Sequence, residues 1–131
     1  MIEIRDVSKT FRRGNRTVQA LGPIDLSVAR GEFVTVLGPS GCGKTTLLHI
    51  LGGFEMPTTG TVTVDGKVVT GPGRDRGMVF QEATLFPWRT VQDNVAWPSR
   101  VAGESKAQAR ERARELLARV GLSRFADAYP G

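Results

Sequence analysis

The chain has 131 residues, 40% of them hydrophobic and 24% charged, an ordinary composition for one soluble domain. Its net charge is +5, with Arg12, Arg13 and Arg16 clustered early, so an anionic partner is allowed; no stripe of bases and aromatics of the single-strand-binding kind is present, and no nucleic-acid partner is expected. The single cysteine, Cys42, excludes an internal disulfide, and no run approaches the roughly 20 apolar residues that span a bilayer; with no apolar leader in "MIEIRDVSKTF", a cytosolic location is expected.

Residues 1–7 alternate apolar and polar side chains, the period of a strand with one buried face. Residues 14–16 read as a turn. Residues 17–21 form a second strand, Gly22-Pro23 a break, and residues 24–28 a third strand of strict period two. After a turn at 30–32, residues 33–37 are almost all apolar, which suits a parallel strand covered on both faces. A helix follows from about Lys44 to Leu51, with Leu47, Leu48, Ile50 and Leu51 as its apolar body and Gly52-Gly53 as its stop. Residues 61–64 and 67–69 flank Asp65-Gly66, a two-residue hairpin. Residues 70–77 are loop and 78–81 a short strand. Residues 85–88 are loop again, because Pro87 biases Phe86 away from helical backbone. Thr90 with Asp93 opens a helix over 91–97 that Pro98 should stop. Ser105 with Gln108 is a capping box for a helix reaching Val120, with Gly121 at its C-terminal end. Ala109, Ala113, Leu116, Leu117 and Val120 share one face; the mixed charges of the other face read as solvated.

Between the apolar run and the first helix stands GPSGCGKTT, residues 38–46. Gly38, Pro39, Ser40, Gly41, Cys42, Gly43, Lys44 and Thr45 fit the pattern Gly, four residues, Gly-Lys-Ser/Thr. Glycines there let the backbone curl until successive N–H groups point at one anion. The helix that follows brings its N-terminal partial charge to the same anion. Lys44 is the only side-chain cation of the loop and suits the outer phosphates of a nucleotide. The hydroxyl of Thr45 suits magnesium, and Thr46 completes the nucleotide-binding set. Preceded by a buried strand and followed by an apolar helix, the pattern marks a phosphate-binding loop rather than a chance glycine turn. Cys42 is a small residue at a permissive position; the N–H groups around it should raise its reactivity toward alkylating reagents.

These residues resemble the ATP-binding subunits of ABC transporters, and the likeness runs the length of the chain. "EIRDVSKTF" is similar to the family's opening strand, whose last aromatic stacks on adenine. This implies base stacking for Phe11, beside the plainer reading of a core aromatic. "MVFQEATLFPW" resembles the family's Q-loop, which implies that Gln81 contacts magnesium and the attacking water. The resemblance thus implies Lys44 and Gln81 as the catalytic set, Thr45 and Gln81 as magnesium ligands, and ATP as the nucleotide. It also implies that the loop from Gln81 to Trp88 abuts a membrane permease and that a second ATPase subunit completes a dimer; Phe86 and Trp88, after a proline loop, read as partner contacts, beside the plainer reading of buried core aromatics. "VTGPGRDRGMVFQEATLFPW" is similar to importers of nitrate, sulfonate or taurine. The expected place is the cytoplasm, on the inner face of the plasma membrane through the permease.

The expected fold class is therefore α/β, a P-loop NTPase core of the ABC type with an antiparallel β subdomain and the start of a helical subdomain. The division implied is 1–87 for the β subdomain with the phosphate-loop core and 88–131 for the start of the helical part. The family's pattern continues past a Tyr-Pro like Tyr129-Pro130 into a Leu-Ser-Gly-Gly signature, an acidic magnesium-binding strand, a catalytic glutamate and a switch histidine. None of these falls within residues 1–131, and His49, inside the helix after the phosphate loop, does not match the switch. The chain is read as the N-terminal portion of such a domain, expected to bind ATP but not to hydrolyse it efficiently alone. Two other readings stand beside it: a fragment without a function of its own, and a small P-loop kinase. The hairpin at 61–69 and the strand ending at Gln81 argue against the kinase.

Overall fold

The computed structural model describes all 131 residues, Met1–Gly131. They form two compact units, Met1–Val79 and Phe80–Gly131. The first holds strands β1 (Ile2–Arg13), β2 (Arg16–Val28), β3 (Thr59–Val64) and β4 (Lys67–Val68) and helix α1 (Lys44–Gly52). The strands make one antiparallel sheet of order β2-β1-β3-β4.

β1 shows why the alternation at the N-terminus is imperfect. Ile2, Ile4 and Val7 all turn to the core, whereas strict period two would turn Asp6 inward. Asp6 is an extra residue in the ladder. Ile4 pairs with Leu26 and Val7 with Ile24 on one side, and Arg5 with Thr61 and Ser8 with Thr59 on the other. Its φ of +48° puts it in the left-handed region, and its N–H donates to the Asp25 carboxylate at 2.9 Å. The bulge resets the parity of the strand.

The break expected at Gly22-Pro23 does not occur; β2 runs through it. Val7 pairs with Ile24 and Lys9 with Leu21, so Ser8 faces both residues of the dipeptide across a second bulge. Pro23 has no N–H to offer, and β2 tolerates it because it is an edge strand. The Asp65-Gly66 hairpin forms as expected, both residues having positive φ, 47° and 78°, as a type I′ turn requires.

α1 lies on this sheet through Leu47 and Ile50, one turn apart on its buried face, against Ile4, Val7, Leu21, Val62 and Val69. Gly53 ends the helix at φ 77°, and a Cβ there would sit 2.1 Å from the Gly71 carbonyl oxygen. Helix end and following loop therefore meet backbone to backbone.

Two predicted strands are absent. Residues 33–37 pair with nothing, and Phe33 and Leu37 are 92% and 86% exposed. Residues 78–81 are likewise outside any strand, with Val79 fully accessible. A strand is a pairing, and the four strands of this sheet pair only among themselves. The apolar run predicts the burial a neighbour would give; no neighbour is supplied within these residues.

Lys9 ties β1 to the segment after α1. Its ammonium donates to the Glu55 carboxylate at 2.5 Å and to the Met56 carbonyl at 2.7 Å. The hydrogen bond from Lys9 holds the Glu55 carboxyl below its ordinary value of 4.5. A carboxyl with a lowered folded-state pKa stabilises the fold above its unfolded value, and that stability is lost as pH falls through the folded value. The expected result is a urea midpoint that drops on acidification from about pH 6 to about pH 3, with a shallower drop in Lys9→Met. Equal slopes for the two proteins would remove the pair from the stability argument.

The second unit holds α2 (Val91–Val101), α3 (Lys106–Arg119) and a 3-10 turn at Ser123–Phe125. Thr90 caps α2 by accepting the Asp93 N–H, and the Ser105/Gln108 capping box of α3 forms in both directions. Gly121 follows the end of α3 at φ 72°. Pro98 does not stop α2. It lies on the exposed face, and the turn beyond it closes through Ala102 N–H onto the Pro98 carbonyl and Glu104 N–H onto that of Ser99. The helices meet through Ala96, Ala109 and Ala113, side chains small enough for close approach, with Leu117 also buried. Leu116 and Val120, expected on the same face, open instead onto an apolar groove with Leu85, Val91, Val95 and Leu122. No helix is long and apolar enough to cross a membrane.

Candidate functional site

The glycine loop closes around its own lysine. Lys44 Nζ donates to the carbonyls of Gly38 and Pro39, each at 2.7 Å, and lies 3.6 Å from Cys42 Sγ. The Cys42 N–H turns back to the Pro39 carbonyl at 3.4 Å. One glycine has no substitute on geometric grounds. At Gly43, φ is 96° and a Cβ would lie 2.3 Å from the Ala20 carbonyl oxygen. A Cβ on Gly38 would lie 2.7 Å from Cys42 Sγ.

Gly43 is also the N-cap of α1, and it gives no side-chain hydrogen bond; nor is there an acidic residue in the first turn. The contrast with α2 and α3 is direct, since Thr90 and Ser105 cap those helices. A helix start with free-pointing N–H groups and a positive partial charge favours an anion. Lys44 is half-buried beside it, while Thr45 is exposed and Thr46 is half-buried. Ser40, Gly41 and Cys42 are exposed at the tip of the loop.

Phe11 stands on β1 opposite Val18 of β2, and both are exposed. The Lys9 ammonium sits 4.9 Å from the Phe11 ring centroid, over one face. Val18 is two residues along β2 from Ala20, the point where Gly43 touches the sheet. At about 3.3 Å per residue the Phe11–Val18 pair is roughly 7 Å along the strand from the loop. That offset is of the order of the distance between a purine and its phosphates. Lys9 was not picked out from sequence; its place two residues before Phe11, on the same strand face, is the signal that finds it.

His49 is half-buried near the end of α1, its ring edge-on to Phe54 with centroids 6.5 Å apart. Gln81 belongs to the second unit, where it is exposed in a bend outside any strand. Within that unit the pair Phe86 and Trp88 divides. Phe86 is half-buried between the rings of Trp88 at 5.4 Å and Trp97 at 5.7 Å, whereas Trp88 is 70% exposed. The Arg89 guanidinium stacks on Trp97 at 4.1 Å. No group of three side chains able to ligate a metal is gathered anywhere among the described residues.

An antiparallel sheet with a helix led by such a loop, in a chain with a further helical unit, is part of an α/β P-loop NTPase domain. A dimeric ATP-binding cassette solved in a post-hydrolysis state with ADP and Pi superposes with a TM-score of 0.88 at 34% identity, over 99% of this chain and 62% of that one. The ABC transporter family profile matches residues 21–131, and the chain belongs to that family. Among its relatives are the nitrate import ATP-binding protein of a Synechocystis strain, 46% identical over 129 residues, and the taurine import ATP-binding protein of Pseudomonas aeruginosa, 46% identical over 121 residues. These alignments cover 98% and 92% of this chain but 48% and 46% of the relatives. The chain thus spans about half the length of the curated relatives it matches.

Proposed function

We propose that this chain is the N-terminal portion of the nucleotide-binding domain of an ABC importer. The whole subunit would bind ATP with magnesium and couple its hydrolysis to uptake of a small solute such as nitrate, sulfonate or taurine. The observation that carries the reading is the uncapped start of α1, led by a loop curled around Lys44. The relatives named for nitrate and taurine import support the solute class.

On this reading the backbone N–H groups of residues 38–46 and the Lys44 ammonium hold the phosphates. Phe11 offers its open face to adenine, with Lys9 on the other face. The donors suit magnesium: the Thr45 hydroxyl and the Gln81 amide oxygen are both hard oxygen ligands. Magnesium, when bound, neutralises charge on the phosphate oxygens. Gln81 adds no charge of its own and orients a water through its amide. On this reading the β subdomain with the phosphate-loop core extends over 1–87 and the helical subdomain starts at 88, whereas the compact units divide between Val79 and Phe80. The subunit sits at the cytoplasmic face of the plasma membrane, dimerises with a second ATPase subunit, and meets the permease through the loop from Gln81 to Trp88.

Trp88 supplies the test, because it is exposed while Phe86 is packed beneath it. In the full-length subunit, Trp88→Ala is expected to weaken assembly with the permease by ~2 kcal/mol or more, and to leave ATP affinity unchanged. Co-purification of subunit and permease measures the first and calorimetry the second. Normal assembly with lost ATP binding would return Trp88 to a core role and take the partner surface away.

A further inference from the structure

The backbone that carries Trp88 is held by one side chain. Asn94, in the first turns of α2, is buried. Its Oδ1 accepts the Phe86 N–H at 2.7 Å, and its Nδ2 points at the carbonyls of Phe86 at 3.1 Å, Arg89 at 3.1 Å and Thr90 at 3.0 Å. A side-chain amide is the group that can do both, with one acceptor oxygen and two donor hydrogens. A hydrocarbon of the same size would leave the Phe86 N–H and these carbonyls without that partner. Between them the chain turns tightly, the Arg89 N–H returning to the Phe86 carbonyl at 3.1 Å.

We propose that Asn94 is a positioning residue: it fixes the turn 86–90 onto α2 and so sets how Trp88 is presented. The start of the same helix also holds the end of the chain. The N–H groups of Val91 and Gln92 donate to the carbonyls of Ala128 at 2.8 Å and Ala126 at 2.9 Å. One helix start therefore holds both the Trp88 turn and the segment after α3, through separate hydrogen bonds. The functional weight of this rests on the reading of Trp88 as a partner contact. The test below uses no permease, so the positioning role and the partner contact fail separately.

The experiment is amide hydrogen exchange, read by NMR as protection factors, on the full 131-residue chain and its variants. In Asn94→Ala the Phe86 amide is expected to lose protection roughly tenfold, while Val91 and Gln92, held by the tail, keep theirs. Asn94→Asp separates hydrogen bonding from packing. A protonated carboxyl has an acceptor and one donor, one fewer than the amide, whereas a carboxylate still accepts the Phe86 N–H but has no donor for the three carbonyls and repels them. Phe86 protection in this variant should recover as the pH is lowered from about 7 toward about 4, with Val91 and Gln92 as the internal reference. Unchanged Phe86 protection in Asn94→Ala overturns the proposal. So does an Asn94→Asp variant whose Phe86 protection ignores pH, which would mean that the contacts from Nδ2 to the three carbonyls do not fix the turn. If Asn94→Ala melts α2, seen as a parallel loss at Val91 and Gln92, the pH recovery in Asn94→Asp decides alone.

Discussion

Lys44→Ala is expected to weaken ATP binding roughly tenfold or more, because a charge-assisted bond to phosphate contributes roughly 1.5–3 kcal/mol. The geometry gives the residue a second part. Its ammonium bonds the Gly38 and Pro39 carbonyls, so it also shapes the loop that presents the N–H groups. An ammonium has three donors; two go to these carbonyls and the third meets only the Cys42 sulfur at 3.6 Å, a weak acceptor that a phosphate oxygen can displace. Alanine removes the charge and the internal bonds together. Lys44→Arg separates them, since it keeps the charge but replaces a compact ammonium with a planar fork that the curled loop does not match. Both variants should therefore bind more weakly than the parent, with alanine the weaker. Calorimetric titration with Mg-ATP measures this. An unchanged dissociation constant for Lys44→Ala would overturn the assignment of the whole loop.

Features fixed by neighbouring residues were legible in the sequence. Asp65-Gly66 supplies its own turn conformation, Ser105 and Gln108 satisfy each other across one helical turn, and the loop at 38–46 needs only its glycines and lysine to curl. What depends on distant partners was misread. Residues 33–37 have the composition of a covered strand, but composition cannot supply the neighbour that would pair with it. Gly22-Pro23 and Pro98 were read as stops because the local rules for proline are strong. In both places tertiary context outweighs them: an edge strand with a bulge for Pro23, an exposed helix face for Pro98. Lys9 and Glu55 are far apart in sequence and met only on folding. Asn94 was hidden for another reason. An asparagine in a helix reads as a weak helix former, and its value lies in backbone groups that precede the helix.

The 131-residue chain alone is expected to turn over ATP at least roughly 10²-fold more slowly than an intact subunit, the lower end of what a positioned general base contributes. The partners of Lys44 are loop atoms, with no carboxylate among them. The resemblance to ABC subunits places the family's catalytic glutamate outside these residues, and its signature loop too. On that resemblance, two copies of this stretch are not expected to complete each other's sites. Binding and turnover should then separate on the proposed reading, in which the uncapped start of α1 and Lys44 take the phosphates and no carboxylate bonds to Lys44. A second effect acts in the same direction. Phe33, Leu37 and Val79 present apolar side chains to solvent, and such exposed surface favours association between copies. Any fraction of chains so occupied lowers the apparent affinity in proportion. The measurement is magnesium-dependent phosphate release by protein shown to be monodisperse, with nucleotide at a level that saturates binding. Slow release with intact binding is the expected pair of results. Release at the rate of an intact subunit, abolished by Lys44→Ala, would mean that residues 1–131 contain a base that the geometry around Lys44 and Thr45 does not reveal, and the separation of binding from turnover would be lost.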